Sequence, residues 1–210
     1  MLKILIVDDH AIVRQGLRLI LAEGHEDATI GEAGTGEDAV QLVKDANWDV
    51  VVLDISLPDV SGLEVLRTIR DLRPSLPVIV LTMHAEEHYA VRALRAGASG
   101  YLTKETAPDK LVAAIRKVAA GGRYISEKLA EKLIYDLGLG AKALPHEALS
   151  DREFQVMCMI ASGKATKEIA LELGLSEKTI STHRSRILEK MNMKTNAELI
   201  RYAVESRLVP

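Results

Sequence analysis

The 210-residue chain reads as two unlike folds in series: an α/β, doubly wound parallel sheet over 1–121 and an all-α, four-helix domain over 149–210. Two observations carry the first. Apolar runs at Leu2–Val7, Val50–Leu53, Val78–Leu81 and Gly100–Thr103 are continuous rather than alternating, and helical patterns separate them. Strands buried on both faces look like this, and helical crossovers let neighbouring strands run parallel. A third observation carries the second fold: beyond Leu149 four helices can be read from cap residues and glycine stops.

Taken in order, the first run is followed by a stripe of Ile12, Val13, Gly16, Leu17, Ile20 and Leu21. Ala28-Thr29-Ile30 is a shorter, weaker strand. Leu63, Leu66, Ile69 and Leu72 form another apolar stripe, Ala90, Val91 and Leu94 a third, and Leu111, Val112, Ile115 and Val118 a fourth. The order is βαβαβαβαβα, stopped near Gly121-Gly122, and right-handed crossovers give it flavodoxin-like topology. Arg123 to Tyr135 has helical spacing at Ile125, Leu129 and Leu133, and Asp136 to His146 reads as a linker with two glycines and a proline, so 122–148 is a connection with one helical segment. Ser150 with Glu153 makes a capping-box pattern. Thr166–Leu173 is a short helix that Gly174 ends, Ser176 caps a longer one running to about Met191, and Asn196–Glu205 is the last. A short helix, a glycine turn and a longer helix form a helix-turn-helix.

Charge is uneven. The net −3 divides into −5 for 1–121 and +2 for 149–210, a mild basic bias that fits a nucleic-acid partner for the second half. Aromatics at 3% leave few rings for stacking unpaired bases, which argues for duplex rather than single-strand binding. No apolar run approaches the roughly 18 residues of a spanning helix, and Met1-Leu2-Lys3-Ile4 enters a strand directly, so neither a signal peptide nor a membrane partner is expected. The single cysteine, Cys158, reads as a core residue among Phe154, Met157 and Ile160, and suits a reducing, cytoplasmic setting.

In a parallel sheet every strand points its carboxyl end to one edge, where open α/β folds place their sites. Asp8-Asp9, Asp54, Thr82 and Lys104 each end or follow a separate run. Alone, each Asp is as well explained as a helix cap or a turn residue. Together, three carboxylates, a hydroxyl and an ammonium are the parts that bind Mg²⁺ and handle a phosphoryl group.

The strings Ile-Val-Asp8-Asp9-His, Leu-Asp54-Ile-Ser-Leu-Pro58-Asp-Val-Ser-Gly62, Leu-Thr82 and Gly-Tyr101-Leu-Thr-Lys104 resemble a bacterial response-regulator receiver domain across 1–121. The resemblance implies that Asp54 accepts a phosphoryl group from the phosphohistidine of a sensor histidine kinase. It implies Mg²⁺ held by Asp8, Asp9, Asp54 and the Ser56 backbone carbonyl. Lys104 and Thr82 then contact phosphoryl oxygens, and Tyr101 changes rotamer with Thr82. Pro58 and Gly62 shape the loop after the third strand. One departure stands out: receivers often carry a small residue after the threonine, whereas Met83 here adds bulk that crowds the acyl phosphate or alters water access. His84 reads as a solvated loop histidine.

Leu149-Ser-Asp-Arg-Glu153, Gly163, Glu168-Ile-Ala170, Leu175-Ser176 and Thr179-Ile-Ser-Thr-His183-Arg-Ser-Arg-Ile187 resemble a LuxR-type output domain. Joined to a receiver, they resemble a NarL/FixJ-type two-component response regulator. On a helical wheel Ile180, Ile187, Leu188 and Met191 face the core, while Lys178, Thr182, Ser185, Arg186 and Glu189 face out with Thr179 and Ser181 beside them. The resemblance implies that Ser181, Thr182 and Ser185 approach base edges and that Lys178, Thr179 and Arg186 contact phosphates. Short hydroxyls discriminate bases poorly, so DNA shape is expected to share in specificity. Arg184 falls in the apolar stripe and is expected to pair with Glu153 or Glu168.

The function implied is a non-enzymatic transcription regulator that phosphorylation at Asp54 drives to dimerise and bind a double-stranded operator. Two alternatives remain at this point. A phosphorylation-independent receiver would act through protein contacts alone. A haloacid-dehalogenase-like phosphatase also uses Asp, Thr and Lys on a doubly wound sheet, but needs its nucleophile on the first strand and a second Asp two residues later, where this chain has His10.

Overall fold

A computed structural model describes residues 1–24, 27–83, 87–127, 129–131, 144–206 and 208–209. The chain divides into two compact units, Met1–Leu133 and Ile134–Pro210. Among the described residues no helix is long and apolar enough to cross a membrane.

Unit one alternates β1 (Lys3–Val7), α1 (Ala11–Gly24), β2 (Thr29–Ala33), α2 (Gly36–Asp45), β3 (Val50–Leu53), α3 (Gly62–Leu72), β4 (Val78–Thr82), α4 (Glu87–Arg95), β5 (Gly100–Thr103) and α5 (Ala107–Ala119). All strand pairs are parallel in the order β2-β1-β3-β4-β5, as the crossovers require. Every residue of β3 and β4 is buried, the outcome expected of continuous apolar runs. Ile4, Ile6, Val50, Val52, Ile79 and Leu81 pack with Leu17 and Leu21 of α1 and Leu111, Ile115 and Val118 of α5.

Two long-range features brace the edge where the polar residues lie. Asp59, in the loop after β3, accepts from the backbone N–H groups of Gly36 and Glu37 at 2.9 Å each. It caps α2 from outside, beside the local cap Thr35, and although burial pushes its carboxyl up, these N–H bonds outweigh that and hold it below the usual range. Arg70 of α3 donates to the carbonyls of Gly97, Pro74 and Leu76 and to the Ser99 hydroxyl, fastening α3 to the turn between α4 and β5.

Three details differ from the sequence expectation. Ile12 does not join the buried stripe of α1 but is 80% exposed, and Leu72 is exposed at the end of α3. The segment from Arg123 is not helical at its start. Tyr124 makes a parallel bridge with Gly100, and helix begins only at residue 127. Unit one therefore extends past 121. The proposed linker falls mostly outside the described residues, but its end, Pro145–Ala148, is a 3₁₀ helix, with buried His146 sharing a 2.7 Å hydrogen bond with the Tyr202 hydroxyl.

Unit two continues with α6 (Asp151–Ala161), α7 (Thr166–Glu172), α8 (Glu177–Lys190) and α9 (Asn196–Glu205). The expected caps are present: Ser150 and Glu153 bond reciprocally, and Ser176 accepts from Thr179 N–H. Gly174, in the turn between α7 and α8, has φ +62°, which favours glycine. Phe154, Met157, Ile169, Ile180, Ile187 and Leu199 form the core, and Cys158 is buried.

Candidate phosphoryl-acceptor site and nucleic-acid interface

Strand register brings the dispersed polar residues together. Val7 pairs with Leu53 and Thr82 with Thr103, so Asp8, Asp54, Thr82 and Lys104 emerge along one edge. Backbone bonds continue the ladder there: Asp54 N–H donates to Val7 and Lys104 N–H to Thr82. Asp8, Asp54 and Thr82 are 1%, 3% and 0% exposed.

The Lys104 ammonium lies 2.6 Å from both Asp8 Oδ2 and Asp54 Oδ2. Burial pushes the Asp54 carboxyl up to about 6 despite the lysine, with Asp8 adding repulsion. Lys104 resists its own burial and is held above its usual value by the two carboxylates. The pocket is thus an acidic pair that a cation must neutralise, and the lysine supplies only one charge.

Asp9, Asp8 and His10 bring ligand atoms within 4.8 Å of one another. Asp9 leans on His10, Oδ1 to Nδ1 at 2.6 Å, while Asp8 Oδ1 accepts from the His10 N–H. The turn into α1 is therefore held by Asp8, which leaves Asp9 exposed and out of the local backbone bonding. Carboxylate oxygens crowded around a buried acid suit a hard divalent cation. Ser56 N–H donates to Asp54 Oδ1, fixing the carboxylate's orientation. Tyr101, just before Leu102 on β5, is 9% exposed. Met83 is largely exposed at the end of β4, and His84 lies outside the described residues.

On α8, Lys178, Ser181, Thr182, Ser185 and Arg186 are exposed and Thr179 half-buried, as the wheel predicts. The hydroxyls of Ser181, Thr182 and Ser185 donate to the carbonyls of Glu177, Lys178 and Ser181, which leaves oxygen lone pairs for an incoming donor. His183 is half-buried, and burial keeps its imidazole below the ordinary pKa, so it adds no charge to this face at neutral pH. Arg184 does not pair with either expected acid. Its Nε donates to Asn196 Oδ1 at 2.6 Å, while Glu153 pairs with Lys190 and Glu168 caps the Ala165 N–H. Asn196 lies twelve residues on, at the start of α9, and its neutral amide oxygen takes the Nε–H in place of an acid.

A sheet that gathers carboxylates and a lysine at one edge, in one chain with a helix-turn-helix, defines a class of protein: transcription regulators switched by phosphorylation. Residues 4–116 match the response regulator receiver domain, and residues 147–203 match the bacterial regulatory proteins of the luxR family. The response regulator UvrY of Escherichia coli K12 is 38% identical over 209 residues, 99% of this chain and 96% of its own length. GacA of Pseudomonas aeruginosa is 38% identical over 210 residues, 100% of this chain and 98% of its own. A solved structure of two RcsB dimers bound to two parallel DNAs superposes with a TM-score of 0.59 at 28% identity, covering 97% of this chain and 98% of that one. The chain belongs to the NarL/FixJ-type two-component response regulators. Its function is that of the family, phosphorylation-controlled DNA binding in transcription regulation, and it is not an enzyme.

Proposed function

We propose that Asp54 is the phosphoacceptor, and the observation that carries this reading is the Lys104 ammonium shared at 2.6 Å between Asp54 and Asp8. A carboxylate oxygen of Asp54 attacks the phosphorus of a histidine kinase's phosphohistidine. The P–N bond breaks, an acyl phosphate forms, and the imidazole leaves with the electron pair. Lys104 then turns from its carboxylates to a phosphoryl oxygen, a charge-assisted bond, and Thr82 donates its hydroxyl to another. Asp8, Asp9, Asp54 and the Ser56 carbonyl hold Mg²⁺, which when bound offsets the negative charge of carboxylates and phosphoryl group alike. Replacing Asp9 by Ala removes one carboxylate while leaving the turn held by Asp8. Mg²⁺ affinity measured by calorimetry should fall at least about tenfold with the fold unchanged, and normal affinity would reduce Asp9 to a partner of His10.

The output helix α8 enters the major groove of a double-stranded operator, with Ser181, Thr182 and Ser185 toward base edges and Lys178, Thr179 and Arg186 on phosphates. The site of action is the cytoplasm, where DNA and the kinase's phosphohistidine are both available. Lys178→Ala and Arg186→Ala should weaken binding to every duplex and flatten the salt slope by about 1 unit each. Changes at Ser181 or Thr182 should instead alter which sequence is preferred. Salt titrations across several duplexes distinguish the two patterns.

One helix-turn-helix reads few base pairs, so two copies on half-sites roughly 10 bp apart are needed. Exposed Ile200 and Val204 on α9 offer an apolar face to a second copy. If the active conformer begins about 1% populated, reaching about 99% takes roughly 5.5 kcal/mol of differential stabilisation. A phosphoryl analogue with Mg²⁺ should therefore convert monomer to dimer and tighten operator binding together, measured by light scattering and gel shift on the same samples. Equal dimerisation and equal DNA binding without the analogue would favour the phosphorylation-independent receiver.

A further inference from the structure

The stretch after α5 holds a contact that the switch chemistry leaves unused. Instead of starting a helix, the chain returns to the open edge of β5. Tyr124 N–H donates to the Ser99 carbonyl at 2.9 Å, and Tyr101 N–H donates to the Tyr124 carbonyl at 3.0 Å. Tyr124 thus adds one residue of parallel ladder to the strand that carries Tyr101.

Three further observations show that this contact is built in. A Cβ placed on Gly100 would lie 3.1 Å from the Tyr124 carbonyl oxygen and 3.3 Å from its Cβ. Gly100 needs no unusual φ, so the space itself accounts for the glycine. The Tyr124 ring packs against the core formed with α1 and α5, and the Lys117 ammonium sits 5.9 Å from its centroid. Beside the bridge, a cavity of about 240 Å³ is lined by Ala90 of α4, Tyr101, Lys110 of α5, Tyr124 and Leu129, which leaves room for the lining side chains to move.

We propose that Tyr124 is a positioning residue through which β5 controls the first turn of the connection to the output domain. The inference rests on the reading above that Tyr101 responds to phosphorylation at Asp54. Every residue of the output domain follows Tyr124 in the chain. Its backbone is bonded directly to that of Tyr101 and the two residues line one cavity, so a change at Tyr101 reaches the connecting segment by direct contact rather than through a loose tether.

The test uses the full chain with beryllofluoride and Mg²⁺ as the phosphoryl analogue. Gly100→Ala crowds the bridge, Tyr124→Pro removes its donor, and Tyr124→Phe keeps backbone and ring. Amide exchange at Tyr101, which donates to the Tyr124 carbonyl, reports the bridge in every variant, and either disrupting variant should lower that protection about tenfold. In those two variants the ratio of operator affinity with and without analogue should fall at least about tenfold toward unity. Phosphorylation of Asp54 should keep its wild-type rate, which a merely weakened fold would not allow. Tyr124→Phe should retain the wild-type ratio. A variant that loses the bridge by exchange yet keeps the full affinity ratio overturns the proposal, as does a bridge that persists in Tyr124→Pro. A wild-type ratio of one would instead remove the regulatory reading itself, and this inference with it.

Discussion

Replacing Asp54 by Asn should abolish Mg²⁺-dependent labelling by a small phosphodonor and at the same time stabilise the metal-free receiver. The first effect is absolute because an amide offers no nucleophilic carboxylate oxygen. The second follows from burial. A carboxyl at about 6 in the folded chain against 3.8 outside it binds its proton more tightly when folded. Its contribution to stability is complete below pH 3.8 and is lost as pH climbs through about 6. At pH 7 the ionised, buried group therefore costs the fold on the order of 1–3 kcal/mol, which the neutral amide avoids. Urea unfolding followed by Trp48, the only tryptophan and a receiver residue, isolates this unit from the output domain. The variant should be the more stable at pH 7, and the difference should shrink to nothing near pH 4. A variant less stable than wild type at pH 7 would mean that the Lys104 pair outweighs desolvation.

Gly62→Ala should be the most damaging single methyl group in the receiver. A Cβ there would lie 2.1 Å from the Asp54 carbonyl oxygen and 2.7 Å from the Ile55 Cα. Both are backbone atoms, held by the Gly62 N–H bond to the Ile55 carbonyl and the Ser56–Ser61 bridge, so neither can step aside. The loss should reach about 3 kcal/mol or more, roughly 10 °C in Tm for a unit of this size. Acceptance of phosphate should fall with it, since Asp54 is the atom group displaced. Gly16→Ala is the matched control. It is also a helical glycine but has nothing within 4 Å of its Cβ position, so the same change should gain about 0.5–1 kcal/mol. Melting curves that rank these two the other way would show that the loop around Asp54 yields more easily than its bonds indicate.

The sheet was legible because buried parallel strands need unbroken apolar runs, and few other structures do. The site followed at once, since parallel strands can only deliver Asp8, Asp54, Thr82 and Lys104 to the same edge. The helix-turn-helix was legible through local chemistry: Ser150 with Glu153, Ser176 and Gly174 act within a few residues of themselves. What escaped is long-range. Ile125, Leu129 and Leu133 satisfy a helical period, yet Tyr124 is extended because the edge of β5, with a bare Gly100, is open to it. The Asp59 cap on α2 joins positions 23 residues apart and leaves no local mark. A charge in the apolar stripe of α8 demands a partner, which points to an acid for Arg184, but the Asn196 amide takes its Nε–H instead. Ile12 sits on the margin of its stripe, where a period cannot say which way a flank residue turns.

The Arg70 guanidinium carries a mechanical consequence. All five of its N–H groups are spent on the turn that follows α4, on the loop between α3 and β4 and on Ser99. The carboxyl end of α4 is thereby pinned to a rigid planar fork. A rod fixed at one end does not slide; it swings. Any displacement of α4 would then be a tilt about Gly97, largest at its amino end. Lysine at position 70 would keep the charge and lose the pivot.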